Sequence, residues 1–160
     1  MWKKRTDTEL KKASGHLYYE IEMFIGCAQE LAKGAHNNRT VANALLESFT
    51  IHARAILDFL YASEPAREDD VIAEDFFDEP CVWHSVRPEK TTLLDSIHKR
   101  VGKEIAHLTY TRQEVTPEAK KWHYLRIYHD VAKVLQPFLE KVPQSKLDPR
   151  LLELGLTTTQ

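Results

Sequence analysis

The sequence predicts an all-α fold, an up-down bundle of four principal helices with a short acidic helix and a small C-terminal helix. Three observations lead there. Apolar residues recur at spacings of three and four over long segments. Glycine is scarce, 5 residues in 160, and runs of alternating apolar and polar residues are few. Cap and stop residues also stand where the periodic segments begin and end.

The first helix is expected over about 7–33. Leu10, Ala13, Leu17, Ile21, Phe24, Ala28 and Leu31 share one face, Thr6 or Asp7 caps the start, and Gly34 ends it. Gly15 and Gly26 fall inside it, as points of close helix approach or as tolerated residues. A polar turn, His36-Asn37-Asn38-Arg39, precedes a second helix over about 40–62. Its main stripe is Leu45, Phe49, His52, Ile56 and Phe59, so a histidine occupies an apolar position. Glu47, Arg54 and Asp58 lie to another side, the last two at ion-pair spacing.

Residues 64–79 carry eight carboxylates against Arg67 alone, a local charge of −7. Asp69 or Asp70 can cap a short helix there that ends at Phe77 and buries Val71, Ile72, Phe76 and Phe77. Pro80, Trp83 and Pro88 mark a loop that packs through its tryptophan. The third long helix is expected over about 88–109, with Leu94, Ile97, Val101, Ile105 and Leu108 as its stripe. The fourth begins at Thr116-Pro117-Glu118, a cap, a first-turn proline and an early acid, and continues to Leu139, with Pro137 bending its end. After a bundle domain over 1–142, a tail over 143–160 holds a possible two-turn helix between Asp148-Pro149 and Gly155, and 157–160 is expected to be loose.

A 42% apolar and 29% charged composition is that of a globular chain and argues against disorder. The net charge of −2 excludes a broadly basic nucleic-acid coat but leaves room for a local basic patch: Lys99, Arg100, Lys103 and Arg112, then Lys120 and Lys121. Cys27 and Cys81 show neither zinc spacing nor a disulfide framework. With no signal-like apolar start and no spanning run, a cytoplasmic protein without membrane contact is expected. No glycine-rich phosphate loop or nucleophile elbow is present, and no cofactor is expected.

One constellation can carry chemistry. At about 100° per residue, Glu104 falls about 40° and His107 about 20° from Arg100, on one narrow strip beside the apolar stripe. An arginine fork holds a phosphate, an imidazole moves a proton near neutrality, and a carboxylate orients either. The same residues also make an intrahelical ion pair beside a boundary histidine, a purely structural arrangement. Glu104-x-x-His107 with Glu47 gives, as a third reading, a mononuclear metal site. His52 is read as a core histidine paired with a carboxylate or carbonyl, or as a second wall of the His107 cavity. Arg54 is read as a surface partner of Asp58.

The Arg100-x6-His107 spacing in Arg-Val-Gly-Lys-Glu-Ile-Ala-His, late in a helical bundle and ahead of a final long helix, resembles the HEPN superfamily (higher eukaryotes and prokaryotes nucleotide-binding). Many members are metal-independent endoribonucleases of bacterial toxin–antitoxin and phage-defence systems. The resemblance implies that His107 acts on the ribose 2′-hydroxyl, that Arg100 holds the scissile phosphate, and that two protomers share the site. Tyr110 stands three beyond His107, near where the toxin branch carries a tyrosine. The phrases Glu47–Arg54 and Ile105–Arg112 also resemble uncharacterised bacterial helical proteins of similar size. Two functions follow as expectations: a homodimeric RNA-phosphate binder or ribonuclease, or a non-enzymatic helical interaction protein that meets a protein partner through its acidic 64–79 face.

Overall fold

The computed structural model describes residues 4–34, 37–79, 81–154 and 156. The expected parts of His36 in the first turn, Pro80 in the loop, Gly155 as a stop and 157–160 as a loose end lie outside them. Helix α1 is Asp7–Lys33. Thr6 and Glu9 form a reciprocal cap, the Thr6 hydroxyl accepting from the Glu9 N–H and the Glu9 carboxylate from the Thr6 N–H. Gly34 ends the helix at φ 69°, a left-handed conformation that glycine adopts without strain.

Helix α2, Arg39–Tyr61, is capped by the Asn38 side chain. Its pairing with α1 runs antiparallel, since Cys27 meets Ser48, Phe24 stacks on Phe49 and Glu20 meets His52. The acidic stretch folds differently from the expected helix. It forms one 3-10 turn, Ala73–Phe76, and the region beyond it, expected as a loop, holds helix α3, Val82–Val86. Four carboxylates there already serve the fold: Asp70 accepts from the Arg67 N–H, Asp75 from the Ile72 N–H, Glu74 from the His84 N–H, and Asp78 pairs with Lys146. Short side chains that cap backbone at three-residue spacing favour tight turns over a continuing helix.

Helix α4, Thr92–Arg100, is capped by Thr91 and is shorter than the stripe predicts. Helix α5, Tyr124–Lys141, begins later than the Thr116 signal predicts. Thr116 does cap a turn, accepting from the Ala119 N–H, but that turn does not propagate. Tyr61 against Pro88 and Asp58 against His98 set α4 antiparallel to α2. Thr91 against Asp130 and Arg100 against Trp122 set α5 antiparallel to α4. The four principal helices therefore alternate in direction, which is the predicted up-down bundle.

The core is aromatic at one end. Phe138 on α5 packs edge-on against Phe59, Phe76, Phe77 and Trp83. Trp83 is fully buried, as the loop reading expects, and its indole N–H donates to the Leu60 carbonyl at 2.7 Å. Each such side chain contributes about 1.5–3 kcal/mol by burial alone.

The segment after Val142 packs into this core. Leu147 and Leu151 are buried within it. Lys146, 4% exposed, threads its ammonium onto the Phe76 carbonyl and the Asp78 carboxylate. Helix α6, Pro149–Leu152, is capped by Asp148, whose backbone N–H donates to the buried Ser14 hydroxyl of α1. Gly15 marks that approach, since a Cβ there would lie 3.3 Å from the Asp148 carboxylate. No described helix is long and apolar enough to cross a membrane.

Candidate functional site

The strip expected to hold Arg100, Glu104 and His107 on one α-helical face is interrupted. Beyond Arg100 the backbone widens into a single π turn, Val101–Ala106, closed by the His107 N–H on the Gly102 carbonyl. His107 itself is extended, with φ −121° and ψ 142°. A π turn inserts a residue into the helical count, so angles reckoned at α-helical pitch no longer hold beyond it. The apolar stripe shows the result. Val101 is buried, Ile105 is half-buried and Leu108 is 94% exposed.

Arg100 and Glu104 do come together. Arg100 Nε donates to Glu104 Oε1 at 2.8 Å, and Nη2 to Oε2 at 2.9 Å. Nη2 also donates to the Ala119 carbonyl at 2.9 Å, Nη1 reaches the Lys121 carbonyl at 3.5 Å, and the guanidinium lies 3.9 Å above the Trp122 ring. The side chains are about four-fifths covered, so the pair is held in a partly desolvated setting. In this arrangement Arg100 and Glu104 fasten the 114–123 segment to the end of α4.

His107 follows directly on the π turn. It is exposed, and among the described residues no hydrogen bond joins it to Arg100 or Glu104. Tyr110, 88% exposed, opens a 3-10 turn, Tyr110–Gln113. That turn returns Arg112 to the helix end, where Nη2 donates to the Ile105 carbonyl at 2.9 Å. The Thr109 hydroxyl donates to the Lys103 carbonyl at 2.9 Å. These contacts satisfy carbonyls that the helix end leaves without partners. Lys99, Lys103, Lys120 and Lys121 are exposed.

Glu47 and Glu104 line one cleft of about 350 Å³, with Leu46, Ile105, Arg112 and Trp122. His107 and His52 do not line it. Among the described residues no group of three His, Cys, Asp or Glu side chains is placed to hold a metal ion. The mononuclear Glu47, Glu104, His107 site therefore does not assemble.

His52 accounts for its place on an apolar face through Glu20. Its Nδ1 lies 2.6 Å from the Glu20 carboxylate, and the Tyr19 ring meets it edge-on. The helix pattern of α2 could not name that partner, which is 32 positions away. Cys27 is buried against Ser48, while Cys81 is exposed at φ 63° ahead of α3, and neither forms a disulfide.

Arg54 is the residue whose surroundings were least legible. It reaches Asp58 at 3.4 Å, as its spacing predicts, and also His98 of α4 at 3.5 Å, while Asp58 lies 3.0 Å from His98 Nδ1. His98 lies 40 positions from Asp58 and 44 from Arg54, so helical spacing within α2 does not point to it. No family model matches the chain, and no curated protein or solved structure matches it either.

Proposed function

We propose that the chain is a HEPN-like protein that binds RNA phosphates and cleaves RNA without a metal, as a homodimer, with His107 as the acid/base group. The observation that supports this most is the presentation of His107. It leaves α4 through a π turn, a device frequent at functional sites, and stands exposed, as do Lys99, Lys103, Lys120 and Lys121.

In this reading a neutral His107 takes the proton of a ribose 2′-hydroxyl. The oxygen attacks the adjacent phosphodiester, forming a 2′,3′-cyclic phosphate and breaking the bond to the 5′-oxygen. The leaving oxygen takes a proton from the partner protomer's imidazolium. The lysines offset the phosphate charge. Arg100 and Glu104 act as positioning residues that anchor the segment bearing His107, and Leu108 and Tyr110 offer apolar surface to a second copy.

The test is cleavage of single-stranded RNA in chelator by the wild type and by His107→Ala. A fall of about 10²–10⁴-fold in the variant is expected, the usual loss on removing a general acid/base. Equal cleavage by both proteins overturns the assignment. The second reading, a non-enzymatic interaction protein, is favoured by one observation, the commitment of Arg100 to Glu104 and to two carbonyls. Wild-type protein that neither binds nor cleaves RNA decides for it.

A further inference from the structure

A second groove, of about 610 Å³, lies between the C-terminal half of α2, the 62–72 segment and α4. It is distinct from the strip bearing Arg100, since two residues of α-helix turn His98 about 200° away from it. Its floor is apolar, with Leu57, Phe59 and Ile72 buried beneath it. Arg54, Arg67, Lys90 and His98 bring cationic or protonatable groups to its walls.

The chemistry lies in how Arg54, Asp58 and His98 face one another. Asp58 Oδ1 sits 3.0 Å from His98 Nδ1, so the carboxylate accepts the Nδ1–H and fixes the tautomer. That leaves Nε2 to accept from Arg54 Nη2, because a guanidinium donates only. This contact is long at 3.5 Å, and Arg54 Nε to Asp58 Oδ2 is long at 3.4 Å. Arg54 Nη1 makes no hydrogen bond among the described residues. Arg100, by contrast, holds its carboxylate with contacts of 2.8 and 2.9 Å. At Arg54 a guanidinium fork and a ring nitrogen converge without satisfying each other.

An oxyanion that enters between them replaces a weak contact with strong ones. It accepts from the fork and, once His98 is protonated, from Nε2–H, while Asp58 behind the ring stabilises the imidazolium. Two of the three carboxylates lining the groove are already committed, Asp58 to His98 and Asp70 to the Arg67 N–H. Glu64 remains. The oxyanion's chemistry is selective as well. A phosphomonoester carries about −1.5 to −2 charge at neutral pH and shares a proton with an imidazole, whereas a carboxylate carries one charge and is a much weaker base. The groove volume suits a small molecule, and the floor suits an apolar body attached to the phosphoryl group.

The geometry points to a binding site for a small phosphomonoester, its phosphoryl group held by Arg54 and His98, with Asp58 orienting the imidazole and the ligand's apolar body lying on Leu57 and Ile72. The site is independent of the ribonuclease reading, since it uses none of the residues assigned there.

The test is a nuclear magnetic resonance titration of the full chain near neutral pH, following the carbon-bound protons of the His98 ring. The probes are phenyl phosphate, inorganic phosphate and benzoate. Phenyl phosphate should move the His98 signals saturably towards their protonated positions and bind at least about tenfold more tightly than either other probe. Arg54→Gln should weaken it by about tenfold or more, and His107→Ala should leave it unchanged. Both Arg54 and His98 are partly exposed, so His98→Gln serves as a second folded variant, and it should weaken binding measured by calorimetry. Absence of a saturable shift, equal affinity for phenyl phosphate and benzoate, or undiminished binding by Arg54→Gln overturns the site. A 5′-phosphorylated oligoribonucleotide that binds more tightly than phenyl phosphate at His98 overturns the small-molecule source.

Discussion

Arg100 and Glu104 grip each other through two parallel hydrogen bonds across the junction where α4 widens into its π turn. The same guanidinium stacks on Trp122 and holds the Ala119 carbonyl, so two stretches of chain, 100–104 and 119–122, meet on one side chain.

Arg100→Lys keeps the charge but loses the fork and the planar stack. Unfolding in urea should show a loss of about 1–2 kcal/mol, from a forked charge-assisted contact and a cation–π contact. The salt dependence of RNA binding should keep its slope, because the lysine charge remains and the phosphates are met by the other lysines. A variant with an unchanged urea midpoint and a shallower salt slope would show that Arg100 contacts phosphate instead.

Gly26→Ala on α1 should stabilise the protein by about 0.5–1 kcal/mol. A methyl there meets nothing within 4 Å, and alanine is the better helix former. Gly15→Ala should give no such gain, since its methyl presses on the Asp148 carboxylate at 3.3 Å. Thermal midpoints of the two variants, measured side by side, check both; equal gains would mean that α6 does not pack closely on α1.

How far each element could be read depended on how local its causes are. Helix α1 was legible because its stripe lies within it and its Thr6 cap and Gly34 stop adjoin its ends. Helix α4 was misjudged in length because the spacing of Val101, Ile105 and Leu108 continues while burial stops after Val101. The extra residue of the π turn leaves no mark on the apolar spacing. The Thr116-Pro117-Glu118 signal did form a capped turn, but Arg100 takes the Ala119 carbonyl and α5 begins only at Tyr124. The partners of His52 and His98, Glu20 and Asp58, are 32 and 40 positions away, where helical period carries no information. The candidate strip was thus legible as a set of residues and not as an arrangement.

Trp83 gives a direct measure of how much the aromatic end contributes. Trp83→Ala empties a fully buried site beside Phe77 and Phe138 and should cost about 3–5 kcal/mol. Trp83→Phe keeps most of the volume but removes the indole donor to Leu60. Among the described residues the Leu60 carbonyl then retains only the Arg87 contact at 3.4 Å, and the cost should be about 1–3 kcal/mol. Denaturant midpoints order the two, and a phenylalanine variant as stable as the wild type would show that the hydrogen bond adds nothing.

Acid should loosen the α6 contact through Asp148. The Arg150 guanidinium, and then the Arg150 backbone N–H, hold this carboxyl at about 2, below its ordinary 3.8. The Lys146 ammonium lowers Asp78 in the same direction. A carboxyl lowered by folding adds stability that is complete above its unfolded value and is lost as pH falls through its folded value. The loss from Asp148 should therefore fall between pH about 4 and about 2. Asp148→Asn keeps an oxygen for the Arg150 N–H but removes the charge, so its stability should fall less steeply over that window than the wild type's. Urea midpoints taken at steps through the window give both slopes. Parallel slopes would mean that the Asp148–Arg150 contact is not maintained in solution, and with it the cap that seats α6 on Ser14.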